Sequence, residues 1–315
     1  MAGILRDAIG GIVRAFGRSR LLVAVYLLNL VPALAVSIPF HRVLDRDMSR
    51  RVDAPTLLAR YSGEFDFDFR HKNAPLFDAS QGTLSVVAFG AFLLGALVAG
   101  GWIGAFHEPK GGGSLRAFFL WGGREWFRFL RVSVLALLAV HVAGVVTHGK
   151  GWEFLLKQFA GVEEVREFAN EKTATLVEWG RSAAFLAALA VLFTAADYAR
   201  VAIVESDRRS ALFAWMHGLA FLLRHPFRTG LLFVFFGIVE AAVLFVVGVL
   251  LHAGSDRVAS GWGVLPLFLL MQAAILARVG LRGARYAAEL SLYRKIQAEA
   301  APIQAPVLAT RLAGV

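Results

Sequence analysis

The chain has 315 residues, 57% of them hydrophobic, and its mean hydropathy is +0.61. A soluble domain of this length could not cover its surface with so few polar groups, and the absence of cysteine excludes disulfides, thiolate catalysis and Cys-ligated metal or iron–sulfur sites. The formal charge of +10 suggests nucleic acid at first sight, but the placement of the charges argues for a membrane topology signal instead.

Residues 3–17 carry Ile4, Leu5, Ala8, Ile12, Ala15 and Phe16 at helical spacing, with Arg6, Asp7 and Arg14 between them. The pattern predicts an amphipathic helix lying in the membrane interface, and Gly17 allows a bend after it. The first long apolar run follows at 20–40. Ala33-Leu34-Ala35 satisfies the small-residue rule of a signal-peptide cleavage site, but the run continues to Phe40, so it is expected to remain as a span. Residues 41–82 are charged and mixed. Within them Glu64–Arg70 alternates Phe with acidic residues, which fits either a short strand or an aromatic comb dipping into the interface.

The second run is 83–106, rich in glycine. After Pro109 and Gly111–Gly113, Ser114 is a candidate N-cap for an amphipathic stretch with Phe118, Phe119, Trp121, Trp126 and Phe127, which feeds the third run at 127–147. Residues 151–181 repeat Trp152, Leu155, Phe159, Val162, Val165, Phe168 and Leu176 every few positions, among Glu163, Glu164, Glu167 and Glu171, and read as helical. The fourth run is 183–204. Ser210 then caps a third amphipathic stretch over 208–224, Pro226 marks the turn into the fifth run at 228–251, and the sixth is 263–285. The tail contains Pro302 and Pro306 and is expected to be mobile.

Each run is about 20 residues or longer, enough at about 1.5 Å per residue to cross about 30 Å of hydrocarbon. The fold expected is therefore an all-α integral membrane domain over 1–295, with spans near 20–40, 83–106, 127–147, 183–204, 228–251 and 263–285, outer loops at 41–82 and 148–182, and a cytoplasmic tail at 296–315. The order amphipathic segment, then hairpin, occurs three times and reads as three elbow-helix-plus-hairpin units. Units two and three align without a gap through Ser114/Ser210, Gly122/Gly218 and Arg128/Arg224; unit one fits through Gly11, Phe16 and Arg20.

With the amino terminus placed inside, the inner segments hold 20 of the 33 basic residues and seven acidic ones, whereas the outer loops are nearly neutral. This positive-inside bias puts both termini in the cytoplasm, the bacterial cytoplasmic membrane being the expected location. The inner arginines, Arg124, Arg128, Arg208, Arg209, Arg224 and Arg228 among them, suit anionic headgroups.

Polar residues within the spans are the site candidates, because charge is costly in hydrocarbon. Glu240, Gln272 and Asn29 fall near the midplane; Asp197 and Arg278 lie about 5–6 Å further in, with Arg200 about one turn below Asp197. Glu240 suits either a proton-coupled or ligand-binding carboxylate, or a structural pair with Gln272, Arg278 or Arg200. Asp197 and Arg200 stand i, i+3 on one face, as a local ion pair whose Arg snorkels to the surface. His141 is a lone packing histidine. Ala96, Gly100 and Gly104 form a small-residue ridge for close helix packing. Asp66, Asp68, His71 and Asp78 lack fixed ligand spacing, so neither metal nor cofactor is expected.

Walker, nucleophile-elbow, H-E-x-x-H and Rossmann motifs are all absent. The stretch GGWIGAFHEPKGGGSLRAFFLWGGREWFRFLRVSVLALL at 100–138, echoed by VESDRRSALFAWMHGLAFLLRHPFRTGLLFVF at 204–235, resembles six-helix bacterial membrane families. Those families include relatives of the membrane domain of glycerophosphoryl diester phosphodiesterases. The resemblance covers residues 83–290 by layout; it implies a multi-span membrane module and brings no catalytic residues, since the soluble phosphodiesterase domain has no counterpart in this chain. The expected function is a non-enzymatic module that binds lipid, a membrane-protein partner or a second copy of itself. The alternative is a small transporter or lipid-handling protein built on Glu240, Asp197 and Arg278, with a membrane enzyme third.

Overall fold

The computed structural model describes residues 2–49, 51, 63–108, 113–162, 165–168, 170–255 and 261–300. Among them the chain is helical throughout and has no strand. The helices are α1 (Ala2–Phe16), α2 (Ser19–Met48), α3 (Gly63–Lys72), α4 (Ala74–His107), α5 (Leu115–His148), α6 (Lys150–Ala160), α7 (Glu171–Ser206), α8 (Ala211–Arg224), α9 (Pro226–Ser255) and α10 (Gly261–Ala300). Six of them, α2, α4, α5, α7, α9 and α10, are long and apolar enough to cross a membrane, so the chain is a multi-pass membrane protein. Pro109, Lys110, Gly111, Gly112, Glu163, Glu164, Pro302 and Pro306 lie outside the described residues.

Two local expectations are revised. Residues 64–70 form helix α3, not a strand: one turn aligns Asp66 with Arg70 in an i, i+4 ion pair at 2.9 Å, and Phe65 stacks on Phe69. The segment 114–126 is not a separate helix but the first turns of α5, which runs unbroken to His148 because neither glycine nor proline interrupts its ladder at Phe127. Pro32 and Pro39 lie inside α2. Ser114 and Ser210 both cap, their Oγ atoms accepting from Ala117 N at 3.1 Å and Phe213 N at 3.4 Å. Asp207, at φ 45°, ends α7 in the left-handed region.

Packing is concentrated at one end of the bundle. The buried stretches are Ala96–Phe106 of α4, Thr194–Val204 of α7 and Leu281–Ile296 of α10, and they enclose Trp102, Tyr198, Tyr286 and Tyr293. These stretches are dense in glycine and alanine, which let helix backbones approach closely. At the opposite end the same helices expose Leu84, Phe89, Leu186 and Phe268, and α9 exposes Phe245. Apolar surface of that kind is stable against lipid tails and unstable against water.

The amphipathic segments do not pack chiefly on the hairpins they lead into. Residues 115–126 lie on the preceding helix α4, α8 lies on the preceding α7, and α1 lies on α10, at the far end of the chain. A glycine makes each contact. A Cβ on Gly122 would stand 2.7 Å from Leu97 O; one on Gly218 would come closer still to Ala195 O, and one on Gly11 would stand 2.5 Å from Ala284 O. Gly100 lies against Gly122 from the other side, while the ring of Trp121 covers Gly104 and Ala96 is buried beside them.

Replacing Gly122 or Gly218 by Ala therefore costs about 1–3 kcal/mol of stability, the usual penalty for overpacking. Gly123→Ala, which meets open space, is neutral or stabilising by up to about 1 kcal/mol. Thermal unfolding in detergent micelles reads both, and equal melting temperatures for the Gly122 and Gly123 variants would rule out the close approach.

Candidate functional site

Asp197 sits on the small-residue face of α7, beside Thr194, Ala195 and Ala196, and is buried. A carboxylate there survives only if it is fully paired. Arg200, one turn along, donates Nη1 to Oδ1 at 2.5 Å and Nη2 to Ser133 Oγ of α5 at 3.0 Å. Arg285 of α10 donates to the other carboxylate oxygen and lies 3.5 Å from Glu289, itself buried. Asp197 thus joins α7 to α10, and through Arg200 to α5. The expectation that Arg200 snorkels is corrected: its side chain is 13% exposed and turns inward to Asp197 and Ser133.

Glu240 receives a hydrogen bond from Arg278 Nε at 2.8 Å. Neither side chain is sealed, Glu240 being 42% and Arg278 56% exposed. Gln272 does not join them; its Oε1 accepts from the Tyr26 hydroxyl of α2 at 2.6 Å. Asn29 donates to Val25 O within its own helix at 2.7 Å. His141, expected to pack, is instead exposed on α5. The expected grouping of Glu240, Gln272, Asp197 and Arg278 is therefore divided: Arg278 serves Glu240, and Arg285 serves Asp197.

The missed members of this region are Ser133, Arg282, Arg285 and Glu289. Arg278, Arg282, Arg285 and Glu289 recur every three or four positions on one face of α10, a signal legible in the sequence. The basic residues there were absorbed into the charge asymmetry.

A second polar cluster joins the ends of the core helices. Arg294 donates Nε and Nη2 to Glu205 at 3.0 and 2.6 Å, and His107 Nδ1 lies 2.6 Å from the same carboxylate. Trp121 donates to Glu108 at 2.8 Å. Of the arginines assigned to headgroups, Arg128 pairs with Asp207 at 2.7 Å and Glu125 at 3.3 Å, Arg124 with Glu125, and Arg228 with Glu299. Arg209 and Arg224 are exposed and Arg208 is half-buried.

Asp207 and His217, beyond the spans, have shifted acidities. The hydrogen bond from Arg128 holds the Asp207 carboxyl below its usual range. Burial, reinforced by Arg208 and Arg224, lowers the His217 imidazole, whose Nε2 lies 3.1 Å from the Tyr293 hydroxyl. No protein-family model, curated protein or solved structure matches the chain.

Asp197→Asn leaves Arg200 without its counter-ion and Arg285 with Glu289 alone, and costs about 3–5 kcal/mol. Glu240→Gln, in a pair that is not sealed, costs less; unfolding in micelles ranks the two, and the reverse order would refute the assignment of Asp197 as the structural pivot. For His217 the unfolded chain binds a proton below its ordinary value near 6.5 while the folded chain does not. Stability is therefore present above that value and lost as pH falls, and His217→Gln should flatten the decline in melting temperature between about pH 6.5 and 5.

Proposed function

We propose that the chain is a non-enzymatic polytopic membrane module that binds lipid or a partner subunit. One observation carries this reading. Asp197 and Glu240, the charges deepest in the spans, are both committed to arginine, while large apolar side chains stand exposed along all six long helices. An unmatched apolar surface of that extent suits lipid tails or another membrane protein. The alternative, a small transporter or lipid-handling protein, draws support from the Glu240–Arg278 pair remaining partly open.

The charge asymmetry supports an orientation with both termini cytoplasmic, and a bacterial cytoplasmic membrane as the location. Three elbow units are supported by Gly11, Gly122 and Gly218 serving equivalent contacts at the same end of the bundle. This layout is similar to that of the membrane domain of glycerophosphoryl diester phosphodiesterases. Because the chain has no cysteine, single-cysteine labelling tests the orientation directly. Lys157→Cys should react with an impermeant maleimide in intact cells and Arg209→Cys only after lysis; the opposite pattern inverts the topology.

The function is tested by purification in nanodiscs, with mass spectrometry of what is retained. A defined lipid or protein should co-purify, and Glu240→Gln should leave it in place. Proteoliposomes carrying an internal pH dye should show no flux dependent on Glu240. A proton flux that Glu240→Gln abolishes in a folded protein would replace this reading with the transporter.

A further inference from the structure

Helices α7 and α9 both pack on α10 but hardly touch each other. Between them lies a groove whose floor is the basic face of α10. Arg278 reaches one wall, at Glu240 of α9, and Arg285 reaches the other, at Asp197 of α7. The Arg285 guanidinium also lies 5.9 Å from the ring centroid of Phe233 on α9, so it spans the gap. Arg282 is one turn from each neighbour, on the same face of α10.

The charges of this groove do not balance. Arg200, Arg278, Arg282 and Arg285 face Asp197, Glu240 and Glu289. Every one of these residues makes an ion pair except Arg282, which is exposed, interacts with the Tyr286 side chain and stands near Asp197 without contacting any described carboxylate. Arg278 spends only its Nε on Glu240, so its two amino groups remain available. The groove therefore presents one uncompensated positive charge, with a planar guanidinium at its centre and a second beside it.

The depth of Arg282 narrows the choice of counter-ion. It stands 21 positions beyond Gly261, about 32 Å along the helix at about 1.5 Å per residue. The hydrocarbon layer is about 30 Å thick, so the guanidinium lies near its inner boundary, the level of lipid phosphates. A phosphodiester carries a single negative charge, and its oxygens match the paired N–H donors of arginine. The Phe233 ring of α9, beside Arg285, gives the groove an apolar wall along which the acyl chains of such a lipid would run.

We propose that the α7–α9 groove binds the phosphate of a membrane phospholipid, held by Arg282 with Arg278 beside it. This rests on the lipid-binding reading above and adds to it a single site with defined ligands. The bound group is a phosphate oxyanion, supplied by a lipid that enters sideways from the bilayer in preference to a free solute.

The test is native mass spectrometry of the full chain in detergent, titrated with phosphatidylglycerol, for the wild type, Arg282→Gln and, at an exposed position at the other end of α7, Lys172→Gln. The wild type and Lys172→Gln should hold one tightly bound lipid, and Arg282→Gln should bind it at least about tenfold more weakly, the loss of one charge-assisted contact. Arg282→Lys should fall between them, keeping charge without the fork. A second arm adds millimolar inorganic phosphate: lipid as the source predicts no displacement, whereas displacement by phosphate would reassign the site to a soluble anion. Equal lipid retention by a folded Arg282→Gln would overturn the site while leaving general lipid binding intact. A wild type that retains no phospholipid would overturn both.

Discussion

Close backbone approach at three glycines governs the architecture. At Gly11, Gly122 and Gly218 the helices come together at a separation that leaves no room for a Cβ beside the opposing carbonyl oxygen. Each contact presses an amphipathic segment onto one of α10, α4 and α7, at the end where those three helices are richest in small residues. Helices gain little from the hydrophobic effect when both surfaces already face lipid tails, so van der Waals contact and polar bonds must hold them. Small side chains maximise that contact, and they are concentrated where the helices meet. At the other end larger apolar side chains stand outward, and the helices rely on lipid to cover them.

The tight end also determines where charge can be carried. Asp197 is buried there because two arginines from different helices reach it, and Arg294 similarly gathers His107 and Glu205. Each pair offsets the desolvation of its partner and links helices distant in sequence. The α1–α10 contact has the same character. Arg14 donates to Ala287 O at 2.9 Å, and Lys295 pairs with Asp7, so the first helix is fastened to the last. The bundle is thereby closed into a ring, with α4, α7 and α10 at its centre.

Much of the helical content was legible in the sequence because it depends on local quantities. Run length, apolar fraction and the two serine caps need no tertiary information. The alternation at 64–70 was misleading, because Phe at every second position also places Phe65 beside Phe69 and Asp66 beside Arg70 on a helix. The continuity of α5 through Phe127 was equally hidden, since an amphipathic stretch followed by an apolar one reads as two elements whether or not the backbone bends between them. Depth estimates placed Asp197 and Arg278 at one level. They could not give the rotation of α10 about its axis, and that rotation sends Arg278 to α9 and Arg285 to α7.

The sequence by itself determined that this is a multi-pass helical membrane chain, which segments are long enough to span, and which residues carry charge into them. Those properties follow from composition along a single helix and from the cost of exposing polar groups to hydrocarbon. Only the tertiary structure decided the partners: α1 on α10, Asp197 between Arg200 and Arg285, Gln272 with Tyr26, and Arg282 left without a described carboxylate. Partner choice depends on the relative rotation and register of helices far apart in the chain. No local pattern encodes those quantities, because each arises from the packing of two surfaces at once.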